Sequence, residues 1–158
     1  MRKPITEAQL NAFVGPSIEV LEKLARISTE VGTLRRQRWS IPLERFVIAV
    51  GVEGDLNGQV VFLFDPPVLE RILTAMLGSP RPPLTDPICC DALGEVANII
   101  AGNATGRMES LGLRITITPP QILTWKEVNR GITDNEGIVI PLKSAWGEIG
   151  ISLFIEKI

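Results

Sequence analysis

The chain has 158 residues, 45% of them apolar and 22% charged, and a net charge of −2. That length suits one domain with its own core, here expected over residues 1–158, and the composition is too apolar for a disordered chain. There is no histidine, which removes the commonest general base, the usual zinc ligand and every Ser-His or Cys-His nucleophile arrangement.

Met1 to Leu10 carries charge with no apolar stretch behind it, and no later window reaches the ~18 uninterrupted apolar residues that a membrane span takes. No membrane insertion is expected, and a cytoplasmic location is. Thr6 to Val31 places Leu10, Phe13, Val14, Val20, Leu21, Leu24 and Ile27 at helical spacing with Thr6 as N-cap. This predicts a long amphipathic helix, kinked or split at Gly15-Pro16 and stopped by Gly32. Leu34 to Ser40 reads as an edge strand. Its Arg35, Arg36 and Arg38 make a charged edge that discourages aggregation; the other basic residues are scattered, so a phosphate-tracking surface and a nucleic-acid partner are not expected.

Arg45 to Gly51 and Gln59 to Phe64 are rich in Val, Ile and Phe, and residues 53–58 between them are turn chemistry, so a β-hairpin is expected. Asp65 followed by Pro66 and Pro67 opens a short helix that Gly78 closes. Asp86 and Pro87 repeat the signal after a proline-rich loop, opening a helix through Ser110 with Gly112 beyond it. Cys89 and Cys90 fall inside this helix, where neighbouring side chains diverge, so they read as small packed residues rather than a disulfide or redox pair. Leu113 to Thr118 reads as a strand that Pro119-Pro120 breaks, and Ile138 to Leu142 with Gly147 to Ile155 form a last hairpin, Ile149, Ile151, Leu153 and Ile155 sharing one face. Lys143 and Ser144 fall in its turn with no third catalytic partner in view; Trp39, Trp125 and Trp146 read as core or interface aromatics. The outline is α+β, helices packed on a mainly antiparallel sheet.

The helix from Asp86 to Ser110 holds the residues most suited to chemistry. Asp91, Glu95, Asn98 and Gly102 are spaced i+4, i+3 and i+4, which at about 100° per residue keeps them within about 60° of one another. Cys89, Leu93, Val96, Ala97, Ile100 and Ala104 occupy the other side, so that side is expected on a core and the polar stripe in solvent. Asparagine competes for backbone hydrogen bonds and is a mediocre helix former, so Asn98 in mid-helix calls for a reason. Spacing alone leaves two open. Asn98 caps or cross-links a neighbouring loop while Glu95 is a solvated charge; or the carboxamide, which donates and accepts, orients a water or partner group while the carboxylate one turn away grips a cation. Asp91 is either a complement to the helix dipole or negative character facing a partner. Gly102 permits close approach of a partner backbone or of another element of its own fold.

The run Asp91-Ala-Leu-Gly-Glu95-Val-Ala-Asn98-Ile-Ile-Ala-Gly102-Asn103 resembles the signature helix of the CheC, CheX and FliY family of chemotaxis phosphatases, which carries Asp or Ser, Glu four later and Asn three after that. The family pattern adds a downstream proline, near which Pro119 and Pro120 stand. A single motif copy and the element order look like the CheX branch rather than CheC, which has two copies. The resemblance implies a CheX/CheC-like α+β fold and dephosphorylation of a CheY-type receiver domain at its phospho-aspartate. By the same resemblance, Glu95 would bridge to the receiver's lysine and Asn98 would orient the attacking water. The receiver would bring its own Mg²⁺, with no cofactor or metal held by this chain, and a homodimer is implied. The rival expectation is a non-catalytic CheX-like module that binds a receiver or another signalling or flagellar switch protein.

Overall fold

Thr6 opens the first helix through a reciprocal capping box: its side-chain oxygen accepts from the Gln9 N–H at 3.2 Å, and the Gln9 side chain accepts from the Thr6 N–H at 3.0 Å. The computed structural model describes residues 5–38, 46–123 and 136–157; Trp39, Ser40 and Trp125 lie outside them. Helix α1, Glu7–Ala25, runs through Pro16 without being split. Proline removes one backbone bond there, but Phe13, Val14, Val20 and Leu21 on either side of it are buried and hold both halves to one core.

The helix ends at Ala25 instead of the expected Val31, because Arg26 turns left-handed (φ 54°) and the Arg26 and Ile27 N–H groups return to the Glu22 and Leu21 carbonyls. Ile27 then drops fully into the core. Gly32 is therefore not the helix stop. It lies between two short strands, β1 (Glu30–Val31) and β2 (Arg35–Arg38), where its N–H donates to the Pro141 carbonyl at 2.7 Å.

The remaining elements follow the predicted order, with one added strand after the double proline. They are β3 (Phe46–Gly54), β4 (Leu56–Phe64), α2 (Pro66–Leu77), α3 (Pro87–Ser110), β5 (Ile115–Ile117), β6 (Gln121–Leu123), β7 (Glu136–Ser144) and β8 (Gly147–Lys157). The first hairpin turns more tightly than expected, since β4 already begins at Leu56. Gly58 is required within it: φ is +150°, and a Cβ there would stand 1.9 Å from the Phe154 carbonyl oxygen on β8. Asp65 precedes α2 in the N-cap position but does not cap with its side chain. Its carboxylate instead accepts from the Glu148 N–H at 2.8 Å, and its N–H donates to the Glu148 carbonyl, which ties the α2 entry to β8.

All described pairings are antiparallel. β1 and β2 share the outer edge of β7; β8, β4 and β3 follow; β5 and β6 share the outer edge of β3. The three described helices pack together and contribute, with Ile48, Val50, Phe62, Ile149 and Ile151 of the central strands, to the main core. Because side chains alternate along a strand, Val47, Ala49 and Val61 gather with Phe154 in a smaller separate cluster. The fold class is α+β, as expected.

Leu93 sits in the main core at 0% exposure. Leu93→Ala is expected to cost about 2–5 kcal/mol by lost burial plus cavity, read as a lower urea midpoint with unchanged slope; a loss under ~1 kcal/mol would mean that α3 is not anchored as described.

Candidate functional site

Helix α3 is fastened at both ends before its stripe does anything. At its start the Asp86 side chain accepts from the Ile88 N–H at 3.0 Å, and Pro87 takes the first turn, where no N–H is missed. The preceding loop is held by Arg81. Its Nε donates to Glu70 Oε1 on α2 at 2.8 Å, and its Nη1 donates to the Pro82 carbonyl at 2.7 Å; the buried Cys89 thiol faces the Pro82 and Pro83 carbonyls. Near its other end Arg107 reaches across Gly15 to Glu19 on α1 at 2.6 Å.

The inner face comprises Cys89, Ala92, Leu93, Val96, Ala97, Ile100, Ala101, Ala104 and Met108, all buried. This matches the side expected on the core. Asp91, Glu95, Asn98 and Gly102 are all exposed, in one line along the outer face. Among the described residues, the Asp91, Glu95 and Asn98 side chains have no hydrogen-bond or ion-pair partner. Asn98 thus cross-links no loop among the described residues.

The stripe borders a groove of about 730 Å³ whose other wall is Ile117–Pro120 and Ile122, in the segment that pairs along the β3 edge. There the partner strand is broken. β5 pairs with Val52–Gly54 and β6 with Val47–Ala49, so that three residues, Thr118–Pro120, lie opposite only two, Val50 and Gly51. This is a one-residue bulge, and bulges redirect side chains beside functional sites. Thr118 fastens it, its N–H donating to the Gly51 carbonyl at 2.9 Å and its Oγ1 accepting from the Gly51 N–H at 2.8 Å. Neither proline can donate, which an edge tolerates, and the bulge swings Pro119 and Pro120 against the helix. At Gly94 a Cβ would stand in ordinary contact with Pro120 Cγ, 3.6 Å away, so helix and bulge come close beside Glu95.

The strand expected from Leu113 to Thr118 is thus only Ile115–Ile117, and β6 was not foreseen. Its three residues follow a double proline, and their strand character comes from β3 rather than from their own pattern. Cys89 is a packed core residue as expected. Cys90, expected to be the same, is half-buried and lines the groove. Arg35 and Arg36 stand exposed on an edge strand, and Ser144 only shapes its turn, donating to the Gly147 carbonyl and accepting from the Trp146 N–H. Among the described residues no group of three or more Cys, Asp or Glu side chains could hold a metal ion, and no helix is long and apolar enough to cross a membrane.

The helix thus sets a carboxylate and a carboxamide, without partners among the described residues, beside a groove. Residues 46–143 match the family described as Chemotaxis phosphatase CheX, and the chain belongs to that family. It is 25% identical, over 120 residues that make up 75% of this chain and 77% of the relative, to the CheY-P phosphatase CheX of Thermotoga maritima. A crystal structure of a chemotaxis protein CheX from Desulfovibrio desulfuricans superposes with a TM-score of 0.76 at 25% identity, over 91% of this chain and 96% of that one. The CheX–CheY–BeF3–Mg²⁺ complex from Borrelia burgdorferi aligns with a TM-score of 0.70 at 19% identity, over 94% of this chain and 96% of that one, a likeness of fold.

Gly102 has nothing of its own fold within 4 Å of a Cβ built there. No other element among the described residues therefore approaches closely at this position. Gly102→Ala is expected to raise stability by about 0.5–1 kcal/mol, the ordinary gain at an exposed helix site, measured as a higher urea midpoint; a lower midpoint would reveal an intramolecular contact.

Proposed function

We propose that this chain hydrolyses the phospho-aspartate of a CheY-type receiver domain, with α3 as the element that enters the receiver. The observation that carries the reading is the pairing of Glu95 and Asn98 one turn apart, solvent-facing and without partners among the described residues. Family membership and the activity in the name of the Thermotoga maritima relative support it. Glu95 pairs with the receiver's lysine, an ion pair that fixes the register of the two proteins. The Asn98 carboxamide holds a water in line with the acyl phosphate, its oxygen accepting from the water. The water oxygen bonds to phosphorus, the bond from phosphorus to the aspartate oxygen breaks, and inorganic phosphate leaves with the receiver carboxylate restored.

Phosphoryl transfer asks for positioning and charge stabilisation more than for covalent chemistry, so a chain without histidine or a nucleophile suffices. The receiver contributes the Mg²⁺ that neutralises the phosphoryl oxygens, and the residues of α3 supply only docking and water placement. Asp91 adds negative potential beside Glu95, and Gly102 lets the receiver backbone come close to the helix. The setting is the cytoplasm, with the chain as a homodimer; a monomer mass in light scattering would contradict that last point.

The test is phosphate release from a panel of phosphorylated receivers. Wild type is expected to accelerate release from at least one. Asn98→Ala should lower that acceleration on the order of 100-fold while binding changes little. Glu95→Ala should weaken binding by about 10–100-fold, the worth of a charge-assisted pair. Tight binding with unchanged phosphate loss would overturn the enzyme and leave a docking module. Unaltered binding and turnover in Glu95→Ala would remove its assigned role.

A further inference from the structure

The helical layer carries a second groove, of about 590 Å³, where the C-terminus of α1, the outer face of α2 and the β7–β8 turn meet. It shares no lining residue with the groove beside Glu95 and Asn98. Its apolar surface is exposed at a cost: Leu24 at the end of α1 is 36% exposed and Trp146 in the turn 44%. Between them the Arg71 guanidinium lies over the Trp146 ring, 4.3 Å from its centroid, which holds both side chains in place.

The charge of this groove is one-sided. Glu70, its acid, is already engaged by two hydrogen bonds from Arg81, which keep its carboxyl below the usual carboxylate range. Arg71 and Arg26 have no carboxylate partner among the described residues, and the buried Nε of Arg71 has no hydrogen-bond acceptor. The groove thus offers two uncompensated guanidiniums, one of them pre-oriented, beside an exposed leucine and tryptophan. From Pro67 to Ala75 its α2 wall runs about 12 Å at the helical rise, the span of about three to four residues of extended chain.

We propose that this groove docks a short acidic segment of a partner protein, a carboxylate pairing with Arg71 and an adjacent apolar side chain packing on Leu24 and Trp146. Charge complementarity selects the carboxylate, and the length of the α2 wall selects a peptide over a small molecule. The site operates separately from α3, so its occupant can be held while the phosphatase face stays free.

The experiment titrates the full chain with acetyl-Gly-Asp-Leu-Glu-Phe-Gly-amide, its Asn/Gln counterpart and phenylacetate, following the Trp146 indole N–H by NMR. The acidic peptide is expected to shift that resonance and to bind at least 10-fold tighter than the other two. Arg71→Met and Trp146→Ala should each weaken it at least 10-fold, with phosphate release from a phosphorylated receiver unchanged. If Arg71→Met does not fold, Arg71→Lys carries the test, since it keeps the charge but loses the planar stack; it should weaken binding. Equal binding of the neutral peptide, equal binding of phenylacetate, no binding of the acidic peptide, or no effect of the Arg71 variants would each overturn the proposal.

Discussion

The structure depends on burial of one side of α3. Leu93, Val96, Ala97, Ile100, Ala104 and Met108 are each at most 1% exposed, and Arg107 and the Asp86 cap secure the ends. A helix of 24 residues anchored in this way presents its outer line at fixed angles. Polar groups on it lose little further freedom when a partner arrives, because the backbone entropy has already been spent in folding. Positioning chemistry needs this, since a water held loosely contributes little to an in-line attack. Stability is thereby assigned to one face of the helix, and the proposed activity to the other.

The second constraint is the break in the edge strand. Its Thr118–Pro120 bulge supplies the wall of the groove that faces Glu95. The bulge places two residues that cannot donate at the point where a donor would be wasted, and Thr118 recovers the pairing through its side chain. Gly94 and Pro120 face each other across this gap from distant parts of the chain, so the groove is a tertiary product.

That difference explains what was legible in the sequence. The α3 helix, its caps and its two faces could be read because a long periodic segment with Asp86-Pro87 before it and Gly112 after it leaves few alternatives. The two long hairpins were legible for the same reason, through alternation and turn residues. The end of α1 was not: Arg26 adopts a conformation that favours glycine, and the burial of Ile27, a tertiary gain, makes it do so. β6 was invisible because three residues after a double proline carry no period. At the site, Glu95 and Asn98 stood out by spacing, yet that they have no partner among the described residues emerges only when the fold surrounds them.

The account turns on where Asn98 sits when a receiver is bound. The direct measurement is a structure of this chain with a receiver held in its activated state by fluoroberyllate. The account predicts α3 inserted at the receiver's active site, the Glu95 carboxylate on its lysine and the Asn98 carboxamide within hydrogen-bonding distance of the in-line water position, about 3 Å. A complex in which the receiver sits elsewhere, or in which Asn98 faces solvent while the acyl phosphate analogue is covered by other residues, would contradict it.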